Sequence, residues 1–443
     1  MLQAFRNIWR LPDVRNKLLI TGLILLVYQF AAHVPVVGVD GNAIKQLLQP
    51  GQEGAGLINV LNLLSGGAVR NFSVIANGVY PYITASIILQ LLTPIIPRLA
   101  ELQKEPGGRD QITRYTYYLA IPMAFLQAFG QIQIFNSLLG GGQQIIPGFG
   151  NEFLLTISVL FSMTAGTMFA VWLGELITEQ GIGNGISLII FSGIVAQVPT
   201  NIAQMLGDTS VPVIWNIALF AVITLISIVV IIYIQEGERR IPVQYGKRVR
   251  GSKQYGGART HIPMKVNPVG MIPLIFAQAI ITLPAVVVSF FPEGAFGNSI
   301  REAFGNQQGF LYWASFFTLT VFFTFFYSDV MIGNQDLGNN LQRNGGFIPG
   351  IRPGKQTQDF ITRVTRRITL VGALFLGIIA VTPGIVDFIN SVLFAGAFDP
   401  GTSANAANVI TGSGLIILVG VVIETMRQLE AQLVMRNYRG FLK

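Results

Sequence analysis

The chain has 443 residues, 51% of them hydrophobic and only 11% charged, with 29 Lys and Arg against 21 Asp and Glu. Soluble domains carry about 25% charged residues, so this composition excludes a water-soluble globular fold. The chain has no cysteine, which excludes disulfides, thiolate metal sites and a cysteine nucleophile.

Repeated apolar runs, each long enough to cross a bilayer as a helix of about 20 residues, predict an all-α polytopic membrane protein. Residues 1–17 (MLQAFRNIWRLPDVRNK) are basic and amphipathic and show no cleavable signal pattern. They are expected to lie on the membrane surface, apolar side chains in the interface. Ten spans are predicted, near 18–37, 73–93, 115–135, 153–174, 185–207, 211–235, 268–292, 308–328, 368–386 and 405–424. The tenth has the shortest strongly apolar part, 409–423. Pro94, Pro97, Pro199 and Pro292 sit at or near span ends, where helices stop.

Charge sets the orientation. Of the 29 Lys and Arg residues, 26 fall before span 1, in the 2/3, 6/7 and 8/9 connections, or after span 10. Only Lys45, Arg70 and Arg301 fall on the other side. The positive-inside rule makes both termini and the basic loops cytoplasmic.

Residues 78–88 (GVYPYITASII) are echoed by residues 270–280 (GMIPLIFAQAI); both read G-x-x-P-x-I-x-A-x-x-I. The echo opens span 2 and span 7. It predicts two halves of five spans, 18–208 and 209–430, with a tail at 431–443. An odd number of spans per half makes the halves inverted, and such halves commonly enclose a pathway at the midplane.

The spans lack chemistry. None of the Asp, Glu, Lys and Arg residues lies in their interiors, whereas ion-coupled transporters use such groups there. His33 is read as interfacial. Gly181-Ile182-Gly183-Asn184-Gly185 follows no strand and contains no Lys, so it is a helix–helix turn rather than a phosphate loop. No catalytic constellation, cofactor motif or metal set is present, and the chain is expected not to be an enzyme.

Several segments together resemble the SecY family, the pore-forming subunits of the bacterial Sec protein-translocation channel. They are Leu63-Leu64-Ser65-Gly66-Gly67-Ala68 with residues 78–92, Gly166-Thr167-Met168-Phe169, residues 172–179 (WLGELITE), residues 181–187, Arg239-Arg240-Ile241-Pro242-Val243 and residues 347–354 (FIPGIRPG). The resemblance implies an hourglass pore in the bacterial cytoplasmic membrane, passing unfolded secretory polypeptides. It places an apolar pore ring at Val79, Ile83, Ile186, Ile190, Ile275 and Ile417. Val79/Ile83 and Ile186/Ile190 are four residues apart, hence on one helix face. Ile83 and Ile275 hold the same slot of the echoed motif. Ordinary helix packing would also use these isoleucines.

Residues 60–72 are too short to span. By themselves they read as a re-entrant or surface turn. The resemblance makes them a plug, a half-helix centred on Leu63, Leu64, Ser65, Gly66, Gly67 and Ala68. It also places a lateral gate between spans 2 and 7, at Ile87, Gln90, Gln278 and Thr282, through which signal peptides and transmembrane segments reach lipid. Polar residues there are expected to bond across the gate, or else to their own helix or a packed neighbour. Loops 235–267 and 329–367 are implied docking sites for the translating ribosome, its RNA met through phosphates, and for the SecA ATPase. Arg239, Arg240, Lys247 and Arg352 are the candidates. SecE and SecG are the implied partner subunits. The rival readings are a secondary transporter, which needs a polar ion-coordinating midplane, and an intramembrane enzyme, which needs an acid, base or metal set.

Overall fold

The computed structural model describes residues 12–47, 62, 65, 67–93, 95–105, 107–139, 143–207, 213–245, 248–250, 253–255, 259–288, 309–333, 337–385 and 412–440. Each expected span has its helix: α1 (Pro12–Ala31), α3 (Tyr80–Leu92), α5 (Gly108–Leu139), α6 (Phe153–Gln180), α7 (Gly185–Gly207), α8 (Val213–Glu236), α9 (Ile272–Val288), α10 (Phe310–Gly333), α12 (Lys355–Ala380) and α13 (Gly412–Gly440). Three short helices, α2 (Gly41–Leu47), α4 (Pro97–Lys104) and α11 (Leu337–Arg343), lie between them. Leu23, Leu26, Phe30, Leu225, Val229 and Phe322 remain exposed, as side chains that face lipid must.

Several boundaries differ from expectation, three of them with a consequence for the site or the basic loops. First, α1 starts at Pro12, so residues 12–17 belong to the span helix rather than to a separate surface segment. Val14 there packs with Ile182 and Leu429, which anchors the helix start. Residues 1–11 lie outside the described residues. Second, residues 73–79 are turns, and α3 begins only at Tyr80. Third, α12 starts at Lys355 and α13 runs on to Gly440, so both helices extend beyond the apolar spans into basic sequence.

The echoed motif has one local geometry in both halves. Gly78 and Gly270 take φ of 54° and 67°. That left-handed conformation suits Gly. Two residues later a helix begins, with Pro81 or Pro273 as its second residue. Proline costs nothing there, because the first N–H groups of a helix have no intrahelical partner.

Loops 6/7 and 8/9 build structure that hydropathy gave no sign of. Strand β1 (Glu238–Tyr245) pairs antiparallel with β4 (Arg259–Lys265), Ile241 opposite Ile262, and with β5 (Gly346–Phe347), in the order β4-β1-β5. Strands β2 (Arg248–Arg250) and β3 (Lys253–Tyr255) form a second antiparallel pair. Ile241 and Val243 alternate inward and pack with Met264, Leu341, Ile348, Ile361, Val364 and Ile368. The two loops and the start of α12 thus share a small α/β platform, an addition to the all-α reading. The tail of the 6/7 loop touches α12 closely, where a Cβ on Gly372 would meet the Val266 carbonyl.

Small residues permit equally close approach within the helical body. A Cβ on Gly166 would collide with the Val74 carbonyl, and one on Gly185 with the Gly174 carbonyl. Backbone atoms cannot swing aside as a side chain can. Gly166→Ala is therefore expected to destabilise the protein by about 1–3 kcal/mol, seen as a lower unfolding midpoint in detergent. Gly22→Ala, with open space around its Cβ, is expected to leave the midpoint unchanged.

Candidate functional site: an apolar floor beneath a polar vestibule

A cavity of about 490 Å³ opens between the two halves. Its floor includes Ile83 of α3, Ile186 and Ile190 of α7, and Ile275 of α9. Its polar wall carries Ser86, Gln90, Asn184, Gln235 and Asn267, and its rim Lys265, Glu424 and Arg427. Val79 and Ile417 do not line it; they lie fully buried beside these isoleucines in one continuous apolar cluster. Four of the six expected ring residues therefore line one cavity, and the other two belong to the apolar cluster around it. At the rim, Arg427 of α13 pairs with Glu236 of α8 at 2.9 Å. Partial desolvation and then Arg427 push the Lys265 pKa below the ordinary lysine value, opposed by Glu236, Glu424 and Glu238.

The turn before α3 packs against the same apolar cluster as the isoleucines. Among the described residues it comprises Asn62, Ser65 and Gly67 onward, with a 3-10 turn at Ala68–Asn71. Leu63, Leu64 and Gly66 lie outside the described residues. Gly67 and Phe72 flank the 3-10 turn with φ of 95° and 41°. Ala68 is buried in the same cluster as the isoleucines, whereas Val69 and Phe72 pack on the far side with Ile132, Phe135 and Ile146. Three polar ties hold the turn. The Tyr28 hydroxyl of α1 donates to the Ser65 carbonyl at 2.7 Å. The Asn62 amide donates to Gln197 Oε1 of α7 at 2.8 Å. Asn62 Oδ1 in turn accepts from the Arg70 backbone N–H at 3.3 Å.

The seam between α3 and α9 is closed mainly by apolar contact, Ile87 being buried there with Ile83 and Ile275. The expected glutamine bonds do not cross it. Gln90 donates to Ser86 on its own helix at 3.1 Å, and its Oε1 is buried without a partner. Gln278 donates to the Tyr312 hydroxyl of α10 at 3.4 Å. Both choose the closer partner, one helical turn away or on the neighbouring helix of the same half. A bond that does cross the seam comes from Tyr80, whose hydroxyl donates to the Ala279 carbonyl at 3.0 Å. Sequence reading passed over Tyr80, although it sits in the echoed motif and a buried tyrosine hydroxyl needs an acceptor. Thr282 lies on α9, but its side chain is outside the described residues.

Comparison with known proteins decides the family. The SecY family model matches residues 73–426. A protein translocase subunit SecY from Bacillus licheniformis is 41% identical, and the alignment covers 100% of both chains. The chain belongs to the SecY family. The fold agrees with solved members. One is a SecY channel whose plug domain stabilises the closed state and maintains a membrane seal (TM-score 0.61, 18% identity, 96% of each chain covered). Another is Sec61 in the canine ribosome-channel complex from the endoplasmic reticulum (TM-score 0.59, 17% identity, 96% of each chain).

The basic residues expected to dock partners divide in this family member. Arg239 and Arg240 project exposed from β1, and Arg240 pairs with Glu238 at 2.8 Å. Arg352 is exposed at a tight turn whose shape needs Gly350 and Gly354, with φ of 81° and 95°. Its carbonyl accepts from the Thr357 hydroxyl at 2.9 Å, which fixes the turn to α12. Lys247 lies outside the described residues. Among the described residues, no group of three or more His, Asp or Glu could hold a metal.

The ties on the turn set an expectation. Asn62→Ala removes the bond to Gln197 and the acceptor for Arg70. Local opening is expected to become easier by about 1–2 kcal/mol. Amide exchange at Arg70 and Val69 should then quicken about 5–30-fold. Unchanged exchange would show that the turn is held by packing alone.

Proposed function

We propose that this chain is a protein-conducting channel of the bacterial cytoplasmic membrane. Unfolded secretory polypeptides pass through it, and transmembrane segments leave sideways into lipid. The observation that carries this reading is the floor of Ile83, Ile186, Ile190 and Ile275 at the foot of a polar vestibule. An apolar constriction of this kind gates by dewetting: ions and water are excluded when it is empty, and side chains close around an extended peptide when it is occupied. The floor holds no charged or coordinating group, as transport of a small ion-coupled solute would require.

In this reading residues 60–72 are the plug. The apolar core of its 3-10 turn stoppers the constriction, and polar ties at Tyr28 and Gln197 keep it reversible. The lateral gate is the α3–α9 seam. Both termini and the α/β platform face the cytoplasm, following the distribution of Lys and Arg. Arg239, Arg240, Lys247 and Arg352 dock the translating ribosome, through RNA phosphates, and the SecA ATPase. SecE clamps the two halves and SecG sits at the periphery. The chain itself makes and breaks no covalent bond; work comes from SecA or from translation.

Two outcomes test this. In planar bilayers the intact protein is expected to be silent and the 60–72 deletion to conduct ions. If both stay silent while a solute is taken up with an ion gradient, the channel reading fails. Separately, replacing Arg239 and Arg352 with Ala is expected to weaken ribosome binding. The log–log salt slope should become shallower by about 0.7–0.9 per lost phosphate contact. An unchanged slope would place RNA contact elsewhere.

A further inference from the structure

We propose that Tyr80 is a latch on the α3–α9 seam and sets how apolar a signal segment must be to enter it. This rests on the channel reading above. Tyr80 is the first residue of α3, directly after Val79. Tyr80 is 9% exposed and packs in the apolar cluster that contains Ile83 and Ile275. Its hydroxyl reaches across to the Ala279 carbonyl at 3.0 Å. Tyr80 precedes Ile83 by three residues and Ala279 follows Ile275 by four, on helices that run in opposite senses. The bond therefore lies about one helical turn, roughly 5 Å, to the plug side of the floor. Parting the seam to admit a helix breaks it.

Three features suit Tyr80 to this role. The acceptor is backbone, so the bond fixes the axial register of α9 against α3 whatever side chain stands at 279. The next turn of α9 is short of one backbone bond, because Pro284 has no N–H for the Ile280 carbonyl. Gln90 and Gln278, also near the seam, bond within their own halves and do not oppose opening. An entering apolar helix offers the Tyr80 hydroxyl no acceptor, since its own carbonyls are internally bonded. Only the apolar surface it brings can offset the loss, so the latch converts hydrophobicity into a threshold for entry.

Tyr80→Phe tests this, since it removes the hydroxyl and keeps the ring. The full channel is reconstituted in proteoliposomes with its partner subunits and an ATP-driven motor. Preproteins are supplied with signal segments of graded hydrophobicity. The variant is expected to accept less apolar signals. Its open fraction, read from spin labels on introduced cysteines in α3 and α9 without substrate, should rise about 3–30-fold, the range for one polar contact between membrane helices. The chain has no cysteine of its own, so the labels report only the chosen sites. A loss of general packing would instead lower the unfolding midpoint without moving the threshold, which separates it from a latch. Normal translocation with an unshifted threshold and an unshifted open fraction overturns the latch and leaves the channel reading intact. Failure of the unaltered protein to translocate any preprotein overturns the channel reading. The spin-label distances then still decide whether Tyr80 closes the seam.

Discussion

Non-helical backbone at membrane depth has no water to bond with, so each N–H and carbonyl there must find a partner in the protein. Residues 67–79 answer this constraint with a series of backbone and side-chain bonds, and the candidate site depends on them. Val74 N–H donates to the Val34 carbonyl and Val36 N–H to the Phe72 carbonyl, both at 3.0 Å, lacing this strap to the segment after α1. Internal turns join Ser73 to Ala68, Ala76 to Ser73 and Gly78 to Ile75. The Asn77 amide donates to the Ala124 carbonyl of α5 at 3.1 Å. Gly166 of α6 leaves space for the Val74 carbonyl. The strap runs from the 3-10 turn at Ala68–Asn71 to the start of α3, which carries Ile83.

The strap also explains which parts of the fold were legible. Hydropathy located all ten long helices, because burial in lipid demands long apolar runs whatever the packing. It extended span 2 back to residue 73, because Ser73-Val74-Ile75-Ala76 is as apolar as the helix that follows. What stops the helix there is Gly78 in a left-handed conformation and the competing bonds to Val34, both tertiary features. The platform strands were hidden for the opposite reason. Charge marked residues 238–265 as a loop, and the alternation of Ile241 with Val243 is too brief to stand out between arginines. Its meaning came only with partners far along the chain, Ile348 and Ile361.

At the site, spacing alone paired Val79 with Ile83 and Ile186 with Ile190. It could not tell a cavity wall from packed core, and the structure divides them: Ile83, Ile186 and Ile190 reach the cavity, Val79 does not. The glutamines show the same limit. Composition identifies polar groups that need partners, yet Gln90 finds Ser86 at close range while the less conspicuous Tyr80 spans the seam. Reach and direction decide such bonds, and neither is written in residue type.

The vestibule and the platform are one mechanical unit rather than neighbours. Strand β4 ends at Lys265 on the cavity rim, and α9 begins at Ile272. Between them Asn267 closes the joint on both sides: its amide donates to the Gly270 carbonyl and its Oδ1 accepts the Gly270 N–H, each at 3.0 Å. Val266 N–H donates to the Gly237 carbonyl at the start of β1, and Gly372 of α12 abuts the Val266 carbonyl. The chain from sheet to α9 therefore has no slack loop in which a displacement could be lost. Asn267 thus joins the sheet to the helix that supplies Ile275 to the cavity and the Ala279 carbonyl to the seam. Its counterpart α3 is held from the opposite side by the strap. Ile83 and Ile275, which face the cavity across the seam, thus sit on helices with separate anchors, α9 on the platform and α3 on the strap.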